Sequence, residues 1–190
     1  MLALKEKITQ EGCYLGKGIL KVDSFINHQV DPTLMEECGK EFARIFADVN
    51  ASRVLTAEIS GIAPALMAAF HLHVPVVYAR KTKPVTMPDT VYLTVAPSHT
   101  KGVMTDLIVS PEFLPRGERV LIIDDFLASG NTIQGLVRLA QAAGAEVVGI
   151  GALIEKSFEG GREALAYLKV PIHSLVRIDR MDDTGIHFGA

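Results

Sequence analysis

Apolar residues recur at helical spacing in two segments near the amino terminus. The spacing of leucine and isoleucine between residues 2 and 8 predicts a short first helix that stops before Gly12. Asp31 and Pro32 then supply a helix cap and a first-turn proline, and apolar residues keep helical spacing from there to Phe46. The first quarter of the chain is therefore predicted to contain two helices.

From residue 53 onward, short runs rich in valine and isoleucine alternate with helical segments, as in repeated βαβ units. The predicted strands cover residues 53–58, 74–79, 120–124 and 146–154, and the predicted helices cover residues 63–71 and 131–143. Because the run at 120–123 is apolar at every position, we expect both faces of that strand to be covered. The pattern predicts an α/β fold in which helices flank a mainly parallel, twisted sheet.

Prolines interrupt this pattern between residues 80 and 119. Two strand-like stretches, 90–96 and 107–110, lie among them, and the segment is predicted to be a hairpin or lid rather than part of the core. The sequence has neither an internal repeat at solenoid spacing nor a low-complexity tract. We interpret residues 1–190 as a single domain with attachments at both ends.

The amino-acid composition and net charge disfavour several structural and functional classes of protein. The 190 residues are 48% apolar and 22% charged, as in an ordered globular protein, which disfavours disordered, collagen-like and coiled-coil chains. The formal net charge of −3 disfavours nucleic-acid or membrane partners held by bulk charge. Cys13 and Cys38 lack metal-site spacing, and the charged amino-terminal residues do not form a signal peptide, so reduced thiols in a cytoplasmic protein are expected.

One uncharged stretch has about the length of a membrane span. Residues 59–79 contain no Asp, Glu, Lys or Arg. Gly61, Pro64 and Pro75 interrupt the stretch, as do two histidines. It is therefore predicted to form a turn, a helix and a buried strand.

The segment with the most chemical information is 120–132, an apolar strand followed by Asp124 and Asp125, a loop of small residues and a helix. In open α/β sheets, ligands bind beyond the carboxyl ends of the strands. Backbone N–H groups and hydroxyls of the loop at 128–132 can face an anion, and the positive end of the next helix favours the same charge. The two carboxylates can accept hydrogen bonds from adjacent hydroxyls, so a ribose 5-phosphate fits both features.

A nucleotide hydrolase would also place acids after an apolar strand, where they bind Mg²⁺. Such an enzyme would carry a phosphate loop of the form Gly-x-x-x-x-Gly-Lys-[Ser/Thr]. That element is absent from this sequence. The sugar-phosphate interpretation is therefore favoured.

The 120–132 segment resembles the 5-phosphoribosyl 1-pyrophosphate (PRPP) binding motif of the type I phosphoribosyltransferases. Residues 20–32, 58–64, 75–81 and 154–158 further resemble the members of that family that use xanthine. The resemblance spans nearly the whole chain and implies the type I phosphoribosyltransferase fold, with an amino-terminal hood and a mobile hairpin or lid. It implies that residues 1–50 and 156–190 contribute to a base-binding hood, and that residues 81–110 form the mobile loop.

The resemblance also implies roles for individual residues. Asp124 and Asp125 would be the catalytic residues and would bind the ribose hydroxyls. The implied PRPP-binding residues are Ala128, Ser129, Gly130, Asn131, Thr132, Ser60, Gly61, Arg80 and Lys81. The implied xanthine-binding residues are Leu20, Asn27 and Lys156. Because xanthine has an additional 2-oxo group and loses a proton more readily than hypoxanthine, a lysine ammonium and an amide donor favour it.

The implied reaction transfers the phosphoribosyl group of PRPP to N9 of xanthine, giving xanthosine 5′-monophosphate and pyrophosphate in purine salvage. Mg²⁺ would be carried mainly by PRPP and pyrophosphate rather than by a protein metal site. A homodimer is implied, with no nucleic-acid or membrane partner. The alternatives are a hypoxanthine-guanine or adenine phosphoribosyltransferase, or a PRPP-sensing regulator of the same fold, which the acidity of the chain and the lack of a helix-turn-helix domain disfavour.

Overall fold

The structure, a computed structural model, describes residues 1–97 and 104–189. Within these ranges the helices are α1 (Leu2–Glu11), α2 (Pro32–Ile45), α3 (Ile62–Leu72), α4 (Asn131–Ala143) and α5 (Gly161–Leu165). The strands before the acid pair are β1 (Cys13–Tyr14), β2 (Leu20–Lys21), β3 (Arg53–Ala57), β4 (Val76–Ala79), β5 (Tyr92–Pro97) and β6 (Met104–Val109). The remaining strands are β7 (Arg119–Leu127), β8 (Glu146–Lys156), β9 (Ile172–Asp182) and β10 (Gly185–Phe188).

The central sheet of the described residues has the strand order β10-β9-β8-β7-β3-β4. β4, β3, β7, β8 and β9 are parallel, and β10 pairs antiparallel with β9 at one edge. The predicted α/β fold with a mainly parallel sheet is confirmed. From β3 the chain continues to β4 on one side of the sheet, and from β7 it continues to β8 on the other side. The sheet therefore has a topological switch point between β3 and β7. Open α/β sheets form ligand-binding crevices at such points.

Both faces of the sheet are covered by apolar side chains. On β7, Leu121 and Ile123 face a core shared with α2 and α3, whereas Val120 and Ile122 face a second core shared with α4. All four side chains are fully buried. The predicted burial of this strand on both faces is confirmed, and its carboxyl end is held rigidly by packing from two sides.

Helix α2 begins where the sequence predicts. The Asp31 carboxylate accepts a hydrogen bond of 3.1 Å from the Leu34 N–H, and Pro32 occupies the first helical position. The buried face of α2 presents Phe42 to β8, where a Cβ on Gly151 would lie 2.9 Å from the Phe42 ring. This glycine allows the helix to approach the sheet closely.

The segment after β4 differs from its prediction. β5 and β6 pair antiparallel, as expected of a hairpin. Residues 98–103, which belong to the predicted mobile loop, lie outside the described residues. However, Ala96, Leu107 and Val109 are buried in the core beside α4. The expectation that the segment stands apart from the core is therefore wrong for the base of the hairpin, because alternate apolar residues of β5 and β6 face the helix.

The uncharged stretch at 59–79 forms a turn, α3 and β4, as predicted. The predicted burial of the strand is wrong, because β4 is the edge strand of the sheet and Tyr78 is 41% exposed. The predicted helix at 131–143 coincides with α4, and the predicted strand at 74–79 begins two residues later, at Val76. Among the described residues, no helix combines the length and apolarity needed to cross a membrane.

Candidate active site

The loop of small residues lies between the end of β7 and the start of α4. β7 ends at Leu127 and α4 begins at Asn131, so residues 128–130 make the turn. Gly130 caps α4 with a φ of 80°, in the left-handed region that glycine adopts without strain. The unpaired N–H groups in the first turn of a helix and its positive end make this a position suited to a phosphate.

Asp124 and Asp125 lie at the carboxyl end of β7, at the switch point of the sheet. Asp124 Oδ1 accepts a hydrogen bond of 3.0 Å from the Asp125 N–H, and Asp125 Oδ1 accepts one of 3.0 Å from the Phe126 N–H. Burial raises the pKa of Asp124 well above its usual range, the charge of Asp125 raises it further, and Lys81 opposes the rise. Burial also raises the pKa of Asp125, again against the effect of Lys81.

The turn that follows β3 packs directly against the acid pair. A Cβ on Gly61 would lie 2.5 Å from Asp124 Oδ1 and would also meet the Thr56 hydroxyl. Only glycine fits so close to these two polar groups. The turn and the end of β7 thus form one continuous polar surface.

Lys81 joins this surface from the end of β4. Its backbone N–H donates a hydrogen bond of 2.6 Å to Glu58 Oε1, which ties the residue to the turn after β3. Its side chain lines a cavity of about 170 Å³ together with Asp124 and Asp125. A cation and two carboxylates therefore line one cavity, and the cation lowers the electrostatic cost of the negative charges.

A larger cavity of about 290 Å³ adjoins the first. Its lining includes Ala128, Ser129, Gly130, Asn131 and Thr132 of the loop, and also Leu20, Asn27 and Lys156. The two cavities share Ser60, Pro97, Asp124, Asp125 and Thr132. The structure thus brings together the acid pair, the predicted base-binding residues and the loop at 128–132, here called the phosphate loop because it is predicted to bind the 5-phosphate.

The predicted base-binding residues come from distant parts of the chain. Asn27 ends a short π-helical turn, Leu20 lies on β2, and Lys156 is the last residue of β8. The Lys156 ammonium is nearly buried, donates a hydrogen bond of 2.6 Å to the Gly18 carbonyl and lies 3.4 Å from a carboxylate oxygen of Glu159. The lysine therefore joins the amino-terminal hood to the end of the central sheet.

Sequence and structure comparisons place this geometry in a known family. A model of the phosphoribosyl transferase domain matches residues 37–178. The chain belongs to this family. It is 48% identical over 188 residues to a xanthine phosphoribosyltransferase of Lactobacillus delbrueckii subsp. bulgaricus, covering 99% of this chain and 100% of the relative.

A second relative and a solved structure extend the comparison. The xanthine phosphoribosyltransferase of Deinococcus deserti is 49% identical over 185 residues, covering 97% of this chain and 96% of the relative. The crystal structure of APRTase from Giardia lamblia complexed with 9-deazaadenine matches with a TM-score of 0.77 at 21% identity, covering 95% of this chain and 100% of that one. The type I phosphoribosyltransferase fold predicted from the sequence is confirmed.

The structure separates two residues that the sequence analysis groups at the PRPP site of this phosphoribosyltransferase. Lys81 lines the smaller cavity, whereas Arg80 lines a third cavity, of about 420 Å³, next to Tyr78. The Arg80 Nε lies 2.8 Å from Glu58 Oε2. Both residues lie beyond the end of β4, where the Arg80 backbone pairs with Ile108 of β6 and the Lys81 N–H bonds to Glu58.

The sequence analysis missed several residues that line the cavities of the phosphoribosyltransferase. Phe126 contributes its ring to the larger cavity, with the Lys156 ammonium 5.3 Å from the ring centroid. Phe126 directly follows the acid pair, so an aromatic ring at the end of a strand was an available signal. The larger cavity is also lined by Ile19, Pro97 and Ile133. In the sequence these apolar residues cannot be distinguished from residues of the core.

Proposed function

We propose that this phosphoribosyltransferase transfers the 5-phosphoribosyl group of PRPP to N9 of xanthine, releasing pyrophosphate and xanthosine 5′-monophosphate in purine salvage. Curated relatives at 48% and 49% identity over nearly the full chain are named xanthine phosphoribosyltransferase. The observation that carries the proposal is the shared lining of one cavity by the phosphate loop, the acid pair and Lys156. One enclosed space of this kind can hold a base and a sugar phosphate together.

The larger cavity is proposed to hold the base and the ribose 5-phosphate. The loop at 128–132 would bind the 5-phosphate through backbone N–H groups and hydroxyls at the start of α4. Asp124 and Asp125 would accept hydrogen bonds from the two ribose hydroxyls, because they lie between the loop and the smaller cavity. This placement leaves the reacting carbon of the ribose close to the entrance of the smaller cavity.

The base side of the cavity supports xanthine as the acceptor. The Lys156 ammonium would attract the oxygen-rich, readily ionised face of xanthine, and the Asn27 amide would donate to a base oxygen. Leu20 and the Phe126 ring provide apolar surface for the flat purine. A base that lacks the 2-oxo group would leave the buried lysine without this partner.

The smaller cavity is proposed to receive the departing pyrophosphate. Ser60 and Gly61 present backbone at the turn after β3, and Lys81 supplies a positive charge in the same cavity. In the transfer, the C1′–N9 bond forms as the bond from C1′ to the pyrophosphate oxygen breaks, and the ribose gains oxocarbenium character. The proton lost from N9 passes to the departing pyrophosphate or to water. The chain promotes this step by positioning both substrates and by stabilising the leaving charge, without a covalent intermediate.

Mg²⁺ is part of the proposal as a companion of PRPP. The described residues contain no group of three or more His, Cys, Asp or Glu side chains that could hold a metal ion. The paired carboxylates of Asp124 and Asp125 are oxygen ligands that suit Mg²⁺, which commonly binds through one or two carboxylates together with substrate phosphates. When bound, Mg²⁺ supplies charge neutralisation and a template for the PRPP oxygens.

The remaining expectations concern the organisation of the protein. We propose a single domain over residues 1–190, with residues 1–50 and 156–190 contributing to the base-binding hood. Within residues 81–110, the part outside the buried base of the hairpin is proposed to act as the mobile loop that covers the site and excludes water. We further propose a homodimer that acts in the cytoplasm, and sedimentation of the purified protein would test the dimer.

The experiment that tests the function compares four bases. Purified protein is mixed with PRPP and Mg²⁺, and pyrophosphate release is followed with xanthine, hypoxanthine, guanine and adenine, and without any base. Preferred turnover of xanthine is expected. Preference for another base would contradict the assignment of Lys156 and Asn27, and PRPP binding without turnover of any base would favour a PRPP-sensing regulator instead.

A further inference from the structure

An ion pair between a buried glutamate and a partly exposed arginine lies next to Lys156, which lines the larger cavity. Glu155 precedes Lys156 on β8, and its carboxylate is 2% exposed. Arg162 binds it with both ends of its guanidinium group, Nε donating to Oε1 at 2.8 Å and Nη2 donating to Oε2. Ser174 on β9 donates a further hydrogen bond of 2.8 Å to Oε2. The carboxylate is thus fixed by three hydrogen bonds from two elements.

The arginine is also tied to the sheet. Arg162 Nη1 donates a hydrogen bond of 2.7 Å to the Ile172 carbonyl at the start of β9. Burial acts to raise the pKa of Glu155, but the hydrogen bonds from Arg162 and Ser174 outweigh it and hold the pKa below its usual range. Both partners are therefore charged at neutral pH, and the pair is held in one geometry.

The residue beside Arg162 supports the phosphate loop. A Cβ on Gly161 would lie 2.9 Å from the Gly130 nitrogen and would also meet the Ala128 carbonyl oxygen. The backbone at Gly161 is therefore packed directly against the loop. A shift of Arg162 moves Gly161 and so changes the position of the loop.

The residue beside Glu155 faces the base. Because side chains alternate along a strand, Glu155 points toward Arg162 while Lys156 points into the larger cavity. Neither Glu155 nor Arg162 lines that cavity. Any effect of this pair on substrates must therefore act through Lys156 on one side and through Gly161 on the other.

We propose that Glu155 and Arg162 are positioning residues that hold the base-binding lysine and the phosphate loop at a fixed separation. This inference rests on the proposed function, because the two ends of the cavity are assigned to the base and to the phosphate of PRPP. The ion pair keeps the base-binding end and the phosphate-binding end of the cavity in the positions that bind the two substrates. Loss of the pair affects the binding of both substrates at once.

The test compares Arg162→Ala with a matched control. Arg44 on α2 binds Glu41 in the same two-point way, at 2.9 and 2.8 Å, but Arg44 is exposed and neither residue lines a site cavity. Arg162→Ala is expected to raise KM for PRPP and for the base by about tenfold each. Arg44→Ala is expected to leave both values unchanged.

The comparison of KM with kcat separates positioning from simple loss of folded protein. A variant that only reduces the folded fraction lowers the apparent kcat and leaves both KM values at the wild-type level, and this result would overturn the proposal. An increase in only one of the two KM values would also overturn it, since the pair would then not link the two ends. Ser174→Ala, which removes one bond to Glu155 and keeps the ion pair, is expected to raise both KM values by about threefold.

Chemical rescue gives a second measurement, which can be made even if Arg162→Ala folds poorly. The Arg162 side chain is 36% exposed, so guanidinium ion from solution can reach the space left in Arg162→Ala. Guanidinium, at concentrations far below those that unfold proteins, is expected to lower both KM values of this variant but not those of Arg44→Ala. Absence of rescue together with wild-type KM values in Ser174→Ala would refute the linkage.

The four-base assay of the wild-type protein is done first, which keeps the two proposals distinguishable. If the wild type prefers a base other than xanthine, the proposed function fails, and the KM comparison is made with the base that it uses. If it turns over no base, dissociation constants for PRPP and for each base replace the KM values. Coupled loss of both affinities in Arg162→Ala supports the linkage in either case.

Discussion

At the scale of single residues, Asp124 combines a functional position with an unfavourable environment. Its carboxyl is almost completely buried and lies next to a second acid, and both effects raise its pKa in the folded protein. A group whose folded pKa is raised binds a proton more readily in the folded state. Protonated Asp124 therefore contributes to the free energy of unfolding, fully below the usual pKa of an aspartate. This contribution to stability is lost as the pH rises through the folded pKa.

We expect Asp124→Asn to stabilise the protein without ligand at pH 7 by roughly 0.5–2 kcal/mol, because the neutral amide removes a buried charge. The gain should shrink as the pH falls from above the raised folded pKa toward the usual pKa of an aspartate. Urea unfolding of wild type and variant at several pH values measures this difference. Asp183→Asn, at an exposed position, serves as the control. A gain in stability that is independent of pH would contradict the raised pKa of Asp124.

Asp124→Asn is also expected to abolish the use of PRPP with every base. The acid pair is assigned to the ribose, which all the reactions share. Steady-state rates with each of the four bases measure this effect. Loss of activity with xanthine alone would show that Asp124 acts on the base instead of the sugar.

Lys156 gives a residue-scale prediction about specificity. Lys156→Ala should lower the preference for xanthine over hypoxanthine by about tenfold or more, as expected for loss of a hydrogen bond to a charged group. The ratio of kcat/KM for the two bases measures the effect. Lys40→Ala, at an exposed ion pair on α2, is the control, and an unchanged ratio in Lys156→Ala would remove the lysine from base recognition.

At the scale of elements, local signals located most of the helices and strands. The cap at Asp31 and the start of α4 are encoded within a few residues of sequence, so they were predictable from spacing alone. β9 was missed because charged residues such as Arg177 and Arg180 interrupt its apolar positions. Its place beside β8 depends on pairing with a strand that is distant in sequence.

The cap of α2 provides a prediction at this scale. Asp31→Ala removes the acceptor for the Leu34 N–H and is expected to lower the free energy of unfolding by about 1 kcal/mol. Both KM values should stay unchanged, since the cap lies outside the two site cavities. Urea denaturation of this variant beside Asp183→Ala measures the loss, and equal stability of the two variants would show that the cap contributes little.

At the scale of the whole molecule, the site is assembled from the hood, the central strands and the end of β8. Ligand binding therefore connects elements that are far apart in sequence and stabilises the fold as a unit. With PRPP and Mg²⁺ at 100 times the dissociation constant, the free energy of unfolding should rise by about 2.7 kcal/mol. Asp125→Asn should lose most of this gain in a thermal-shift measurement, whereas Asp183→Asn should retain it; equal gains in both variants would contradict the assignment of Asp125.

The sequence by itself determined the α/β class, the strand that ends in Asp124 and Asp125, and the loop before α4. These features depend on residues that are neighbours along the chain, so periodicity and local chemistry were sufficient. The family resemblance additionally predicted that Asn27 and Lys156 bind the base in the same site as that loop. Residue patterns alone gave no geometric reason to place these residues together.

Only the tertiary structure decided how the separate segments meet. It placed Lys81 at the smaller cavity and Arg80 at another cavity, and it packed Gly161 against the loop at 128–130. It also joined Glu155 to Arg162 across the end of β8. These contacts depend on how strands pair and on which way each side chain points, and both are set by packing between segments that are distant in sequence.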